Sequence, residues 1–360
     1  MEKVTSQPKN SKSKINFASD ERVFIGVDVH KHSYTVAFYT EKFGHGDAFV
    51  MDAKPLDLIR KLEPMKERIE RVVYEAGLTG YGLVRQLRAA GIRADVVNSG
   101  KIPRPATEQT KTDRIDCRKL AEYAACGLLK YIGVPDEQQD VDRQLLRLRD
   151  VCVQSIQKTK VRIKSFLSYN GIKEPKGLEN WSRDGVKSLK SLKLNPELRF
   201  NLDMQLGELG SAEARLKKIN ARIAEMEKED RYAGNSANLR TITGIGVITA
   251  MKVLTEMFQP ERFEKETEVA KMMGLSPRIS QSGETRRNNG LSPSGNRRLR
   301  TCLIEAAWRW RRGDARAAAR YDKLRKNTGS PNKAIVGVAR KLGIIMWRMI
   351  TRGEPYREVS

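Results

Sequence analysis

The spacing of apolar positions changes character three times along the chain. Up to about residue 130 the apolar runs are short. VFIGVDV (23–29), SYTVAFY (33–39) and a weaker stretch at roughly 46–51 read as three strands, since β-branched and aromatic side chains pack well on a pleated surface. Pro55 to Ile69 has the spacing of an amphipathic helix and RVVYEA (71–76) is a strand. GYGLVRQLRAAG (80–91) is a helix closed by Gly91, and IRADVVNS (92–99) is another strand. A further helix starts near Thr112 and runs through DRIDCRKLAEYAACGLL. The order βββαβαβα predicts a mixed sheet with helices packed on it.

From Val141 the period lengthens. Apolar or small positions recur at 141, 145, 148, 152, 156, 159, 163 and 166, and again from Leu202 through Leu206, Leu209, Leu216, Ile219 and Ile223 to Met226. Steps of three and four with charged flanks predict a coiled coil or a long helical hairpin that acts as a spacer or oligomerisation arm. The stretch 168–200 between them, with Gly171, Pro175, Gly177 and Gly185, reads as a long connection. A third, mostly helical region opens at about Asn238 with LRTITGIGVITAMKVL (239–254), where Gly244-Ile245-Gly246 forms a turn between two helices. Such turns can hold a nucleic-acid phosphate on backbone N–H groups, although a helix-turn-helix without a ligand has the same pattern. The expected organisation is a basic, disordered tail (1–20), an α/β catalytic domain (21–135), a coiled-coil or helical linker (136–235) and a helical C-terminal domain (236–360).

Against this pattern four carboxylates stand out. Asp28 interrupts an apolar strand, where a bare carboxylate is costly. Glu75 ends the strand RVVYEA, and Asp113 and Asp116 lie i, i+3 on one face of a helix at its positive dipole end. Taken singly, the last three have plain roles as helix-capping charges or a solvated strand end. Taken in chain order on a βββαβαβα frame, the four match the order of acids in ribonuclease H-like nucleases. Carboxylates gathered in this way call for a hard cation such as Mg²⁺, as one ion or two.

Charge narrows the partners. The 68 Lys and Arg against 44 Asp and Glu leave a net charge of +24 over 360 residues, which points to a polyanion. Residues 271–320 alone hold twelve Lys and Arg and three acids, making this stretch the expected phosphate-binding surface. Four scattered cysteines without a CxxC, and three histidines, argue against a structural zinc or a histidine-based metal site and for a reducing, cytoplasmic setting. No apolar run approaches the length of a membrane span; the longest cluster, Leu342–Met346, is short and flanked by Arg and Lys.

The segments GVDVHK, YEAGLTGYGLVRQL and KTDRIDCRKLA resemble the three acidic motifs of the DEDD insertion-sequence transposases, the "IS one-ten" family with its Piv-like invertases. TITGIGVITA and FEKETEVAKMMGLSPRISQSGETRRNNGLSPSGNRRLR resemble that family's C-terminal transposase domain, so the resemblance spans roughly residues 22–352. It implies a RuvC-like domain binding Mg²⁺ through Asp28, Glu75, Asp113 and Asp116. It implies a serine nucleophile at Ser282, in a segment GLxPR followed closely by SG; alone, that Ser-Gly reads as a turn. Arg278, Arg286, Arg287, Arg297, Arg298 and Arg300, with Gly244 and Gly246, are the expected nucleic-acid contacts. The resemblance further implies a recombinase that cuts and rejoins double-stranded donor and target DNA through a covalent phosphoserine. Characterised members are guided by a bridge RNA and work as tetramers, assembled from dimers, whose active sites combine both domains of different protomers. One departure is Ser294, where the family often places a basic residue before the glycine. Two other readings use the same residues: a Holliday-junction or structure-specific nuclease with water as nucleophile, and a non-enzymatic nucleic-acid-binding scaffold.

Overall fold

A computed structural model describes residues 20–103, 113–282 and 285–357 of the chain, without the side chains of Lys101, Asp113, Arg114 and residues 279–289. The basic tail expected at the N-terminus lies almost wholly outside these residues. The described chain forms two compact units, divided between Asp136 and Glu137.

The first unit is a seven-stranded mixed sheet with helices on it. β1 (Val23–Val29) and β2 (Ser33–Thr40) form a tight antiparallel hairpin. Two short pieces, β3 (Gly44–His45) and β4 (Phe49–Asp52), both pair with β2 and share the place of the third strand. The single strand expected at 46–51 is therefore broken: Gly46 donates its backbone N–H to the Phe38 carbonyl, 2.9 Å away, and the chain turns before pairing resumes. α1 (Pro55–Leu62) is shorter than its pattern predicts. Pro64 has no N–H and clashes with the preceding turn, so residues Glu63–Arg68 tighten into a 3₁₀ helix. Ile69, expected in the helix, instead begins β5 (Ile69–Glu75). α2 (Gly82–Ala89), β6 (Ala94–Val97), α3 (Asp113–Ala125) and β7 (Tyr131–Ile132) complete the unit. The spatial order β3-β2-β1-β5-β6-β7, with β1–β5 and β5–β6 parallel and the other pairs antiparallel, is consistent with a ribonuclease H-like domain.

The two faces of this sheet are filled differently. Val23, Ile25, Val27, Val72 and Tyr74 pack against Leu58, Leu62, Val84 and Leu87 of α1 and α2. Phe24, Val73 and Val97, pointing the other way, pack against Leu120, Ala124 and Leu129. α3 reaches that second face because position 26 is glycine: a Cβ there would lie 1.9 Å from the Cys117 carbonyl oxygen and 2.8 Å from the Ala121 nitrogen.

In the second unit α4 (Glu137–Tyr169) and α6 (Pro196–Met226) form an antiparallel helical hairpin. Arg149 bonds to Asn220 and Thr159 to Glu208 across it. Its buried side chains Cys152, Ile156 and Ile163 follow the predicted spacing, but Leu167 is buried where Phe166 is expected, and Val141 and Leu148 of the expected apolar row are more than half exposed. The connection at its tip is more ordered than its glycines imply. It holds α5 (Arg183–Lys190), capped by Ser182, and it packs so closely that a Cβ on Gly185 would lie 2.6 Å from the Gly177 carbonyl carbon. Beyond the hairpin come α7 (Ala233–Arg240), α8 (Val247–Glu256), α9 (Glu266–Met272), the ribbon β8 (Pro277–Ser282) and β9 (Thr285–Leu291), and then α10 (Arg297–Gly313), α11 (Ala315–Thr328) and α12 (Pro331–Arg352). These helices enclose one apolar core, to which α4 contributes Leu146 and α6 Ile223 and Met226. Among the described residues no helix is long and apolar enough to cross a membrane.

Two outcomes test this architecture. Gly26→Ala forces the α3 backbone away from β1 and is expected to cost at least about 2 kcal/mol, read as a lower urea midpoint at unchanged slope. Burial pushes the thiols of Cys117 and Cys302 up to about 11 from an ordinary 9.0. The unfolded chain therefore loses these protons first, and stability falls as pH rises from about 9 to 11. Urea titrations across that range will show the loss, and Cys302→Ala will reduce it.

Candidate active site and nucleic-acid interface

Strand alternation decides which way Asp28 points. Phe24, Gly26 and Asp28 share the face of β1 that α3 covers, and Arg71, Val73 and Glu75 share the same face of parallel β5. The last paired residues are Val27 and Tyr74, so one further step along both strands sets Asp28 beside Glu75. Both acids stand at the C-terminal ends of parallel strands, where ligands of open α/β sheets collect. The close passage over Gly26 brings the first turns of α3 to the same place. Cys117 is buried near enough to Asp28 that, after burial itself, the Asp28 charge is the largest influence holding the thiol protonated. Asp116 precedes Cys117, and Asp113 opens the helix one turn earlier. Their expected i, i+3 relation on one face stands in the backbone; the side chain of Asp113 lies outside the described residues.

Asp28 is one-quarter exposed and its Oδ2 lies 3.1 Å from His30 Nε2. His30 follows Asp28 by two residues and so projects to the same face. That alternation is visible in the sequence, but the pairing with Asp28 is not. Among the described residues no three His, Cys, Asp or Glu side chains cluster tightly enough to enclose a metal ion. The donor chemistry of Asp28, Glu75, Asp113 and Asp116 is nevertheless all oxygen, which fits a hard divalent cation and not a thiophilic one.

The second unit carries the other expected site residues. Ser282 ends β8 opposite Thr285; Arg286 pairs with Gln281 and Arg287 with Ser280 in the ribbon. The side chains of Ser282, Arg286 and Arg287 fall outside the described residues, while Arg278 is exposed near the start of β8. The base of the ribbon is held by two glycines. A Cβ on Gly295 (φ +100°) would lie 2.6 Å from Gly274 Cα, and one on Gly274 (φ +68°) would lie 2.5 Å from Arg300 Nη2. Arg300 donates from the same Nη2 to the Ser292 carbonyl at 2.9 Å and the Ser294 carbonyl at 3.3 Å. It thus braces the turn below the ribbon. The hydroxyls of Ser292 and Ser294 are 2.6 Å apart.

Arg297 and Arg298 are exposed in the first turn of α10, where no acid balances them. Cations at a helix N-terminus oppose the macrodipole, an arrangement that an incoming phosphate relieves. The N-cap of that helix is Asn296, whose Oδ1 accepts from the Leu299 N–H and whose Nδ2 donates to Glu256 Oε2 at 2.8 Å. Glu256, only 5% exposed, also receives Arg147 at 2.9 and 3.1 Å and Arg143 at 3.4 Å. Burial works against its charge, but Arg147, Arg143 and Asn296 outweigh it and hold the carboxyl below its ordinary range. This residue, missed by motif reasoning because it sits in an apolar helix, ties the long α4 to the basic end of α10.

The Gly244-Ile245-Gly246 turn joins α7 to α8 as expected. Gly244 (φ +86°) lies against α10, where a Cβ would come 2.7 Å from Arg309 Cβ, whereas nothing would crowd a Cβ on Gly246, the N-cap of α8. Both glycines are exposed, and Arg309 and Arg312 are exposed on the neighbouring turns of α10.

A mixed α/β sheet consistent with a ribonuclease H-like domain, with carboxylates at its strand ends, and a basic helical unit suit a class of enzymes that act on nucleic-acid phosphodiesters. Comparison with known proteins narrows this. Residues 25–170 match a family of DEDD transposases of the IS110 group, and residues 236–322 match a family described as "Transposase IS116/IS110/IS902 family". The chain is 30% identical over 312 residues to a protein of Sinorhizobium fredii provisionally named transposase y4rJ, covering 78% of this chain and 77% of that one. It is 29% identical over 309 residues to the transposase for insertion sequence element IS1533 of Leptospira borgpetersenii (81% and 86% covered). With the transposase for insertion sequence element IS1111A of Coxiella burnetii it shares 25% over 287 residues (76% and 75%). The chain belongs to the IS110 family of insertion-sequence transposases, a membership that implies DNA substrates and strand-transfer activity.

The Glu256 cluster is the part of this geometry most open to direct test. Glu256→Ala leaves Arg143 and Arg147 without their shared carboxylate and is expected to cost about 3–5 kcal/mol, measured by urea denaturation. Because its carboxyl is held below the unfolded value, its stabilisation is present at neutral pH and is lost as pH falls through the acidic range.

Proposed function

We propose that this transposase cleaves and rejoins DNA through Ser282, with Asp28, Glu75, Asp113 and Asp116 as the ligands of one or two Mg²⁺ ions. The observation that carries the metal half is the placement of Asp28 beside Glu75 under the helix that begins with Asp113. The assignment of Ser282 rests on the family motif and on its position at the end of a ribbon flanked by Arg278, Arg286 and Arg287. When bound, Mg²⁺ would stabilise the charge that develops on the phosphate oxygens. The protein's own steps are then simple. The Ser282 hydroxyl gives up its proton and attacks phosphorus, the phosphorus–oxygen bond to one DNA segment breaks, and that segment leaves as a sugar hydroxyl. A hydroxyl of the partner strand attacks the phosphoserine, forming the new phosphodiester and returning the serine. Arg297, Arg298 and the amides at Gly246 hold the neighbouring backbone.

The partners in this reading are donor and target DNA together with a guiding bridge RNA, all consistent with the net charge of +24. A dimer assembling to a tetramer would cover the apolar side chains left more than half exposed on the long hairpin, among them Val151, Val161, Phe200 and Met204. Such a role matches the coiled-coil pattern of those helices.

Incubation of the protein with DNA carrying the ends of its element, in Mg²⁺, is expected to yield a protein–DNA adduct on a denaturing gel. Ser282→Ala removes the adduct, and Asp28→Asn or Glu75→Gln lowers cleavage by roughly 100–1000-fold. Recombination that persists in Asp28→Asn would overturn the carboxylate assignment. Cleavage without adduct, indifferent to Ser282→Ala, would replace the serine with water and make the protein a structure-specific nuclease.

A further inference from the structure

Behind the Gly244–Gly246 turn lies a cleft of about 470 Å³ between the end of α10, the start of α11, the C-terminal half of α12 and residues Glu354–Arg357. Neither the carboxylates nor Ser282 use it. Six cationic side chains line it against one acid, Glu354. Arg348 pairs with Glu266 and Arg357 with Glu354, but Arg316, Arg320, Lys341 and Arg352 have no carboxylate partner among the described residues. Four such cations around one recess create a field that favours an anion.

The aromatic part of the wall is equally specific. Trp310 is 2% exposed, and its indole N–H finds no acceptor among the described residues. Tyr356 stands edge-on to Trp310, with ring centroids 6.3 Å apart. It is fixed at both ends: its hydroxyl donates to Asp314 Oδ2 and its backbone N–H to the Thr241 hydroxyl, each at 2.9 Å. Asn238 Nδ2 also donates to the Gly353 carbonyl at 2.8 Å. The rim of the cleft is therefore attached to the loop that carries the Gly-rich turn.

We propose that the cleft receives one unpaired nucleotide of a nucleic-acid strand. Its phosphates lie on Arg316, Arg320, Arg352 and Lys341, and its base lies beside Tyr356. The volume suits a single nucleotide and excludes a duplex. Stacking platforms framed by cations are the usual means of holding unpaired bases. A free nucleotide has the same chemistry. The strand is favoured because the adjoining turn and the exposed Arg309 and Arg312 continue the cationic surface away from the cleft. This inference rests on the reading that the chain binds DNA.

The test uses the full chain and fluorescence anisotropy with two labelled DNAs, a blunt duplex and the same duplex with a single-stranded overhang. The overhang is expected to bind about tenfold more tightly. In the double variant Arg320→Gln/Arg352→Gln, both on exposed side chains, that preference disappears and the salt slope for the overhang falls by about two. Equal binding of the two DNAs by the unaltered protein, or a preference that survives in the double variant, overturns the cleft assignment and leaves the recombinase reading standing. Tight binding of AMP without any overhang preference overturns the strand in favour of a free nucleotide. Failure to bind either DNA overturns both readings.

Discussion

The first unit depends on one contact, the backbone of α3 resting on Gly26 of β1. A side chain at that position would meet the Cys117 carbonyl at less than the length of a hydrogen bond, so only glycine lets a helix lie this close to the strand. The contact sets the height and direction of α3, and with them the place of Asp116 and of the backbone at Asp113. Strand alternation then does the rest. Asp28 follows Gly26 by two residues and emerges on the same face just past the edge of the helix, while Glu75 reaches the same level on the neighbouring strand. The four candidate carboxylates come from separate points on the chain, and a single glycine is what lets the helix that carries two of them lie against the strand that carries Asp28.

The second unit has a comparable centre in Glu256. Two arginines of α4 and the N-cap asparagine of α10 converge on this buried carboxylate. A network of this kind is unforgiving, because removing one member strands charges in an apolar interior. It joins the helix that continues into the long hairpin to the helix whose first turn presents Arg297 and Arg298. Close glycine contacts recur here as well. Gly274 and Gly295 press together at the foot of the ribbon that ends in Ser282, with Arg300 laid across them. A basic residue in place of Ser294 would stand at this foot, where the backbone carbonyl of residue 294 receives Arg300.

Much of this was open to reading from the chain. The strands around Asp28 and Glu75, the helix after Asp113, the two long helices and the Gly-rich turn all follow from local pattern, because period and turn chemistry depend on near neighbours. The failures have local causes too. The helix expected to reach Ile69 stops early at Pro64, and the third strand divides at Gly46. The pairings of Glu256 and His30 were not legible for another reason. A lone acid in an apolar helix, or a histidine two residues from an aspartate, acquires meaning only from what lies opposite.

By itself, then, the sequence determined the main strands and helices of the first unit, the two long helices, the chain order of the acids, the excess of cations and the motifs that place the protein in its family. These are properties of short windows or simple sums. Only the tertiary structure decided which residues meet: that α3 crosses β1 at Gly26, that Arg300 braces a turn, and that Trp310, Arg320, Arg352 and Tyr356, spread over almost fifty residues, line one cleft. Such meetings depend on close approach between distant backbones, and the period of a helix or strand carries no record of its distant partner.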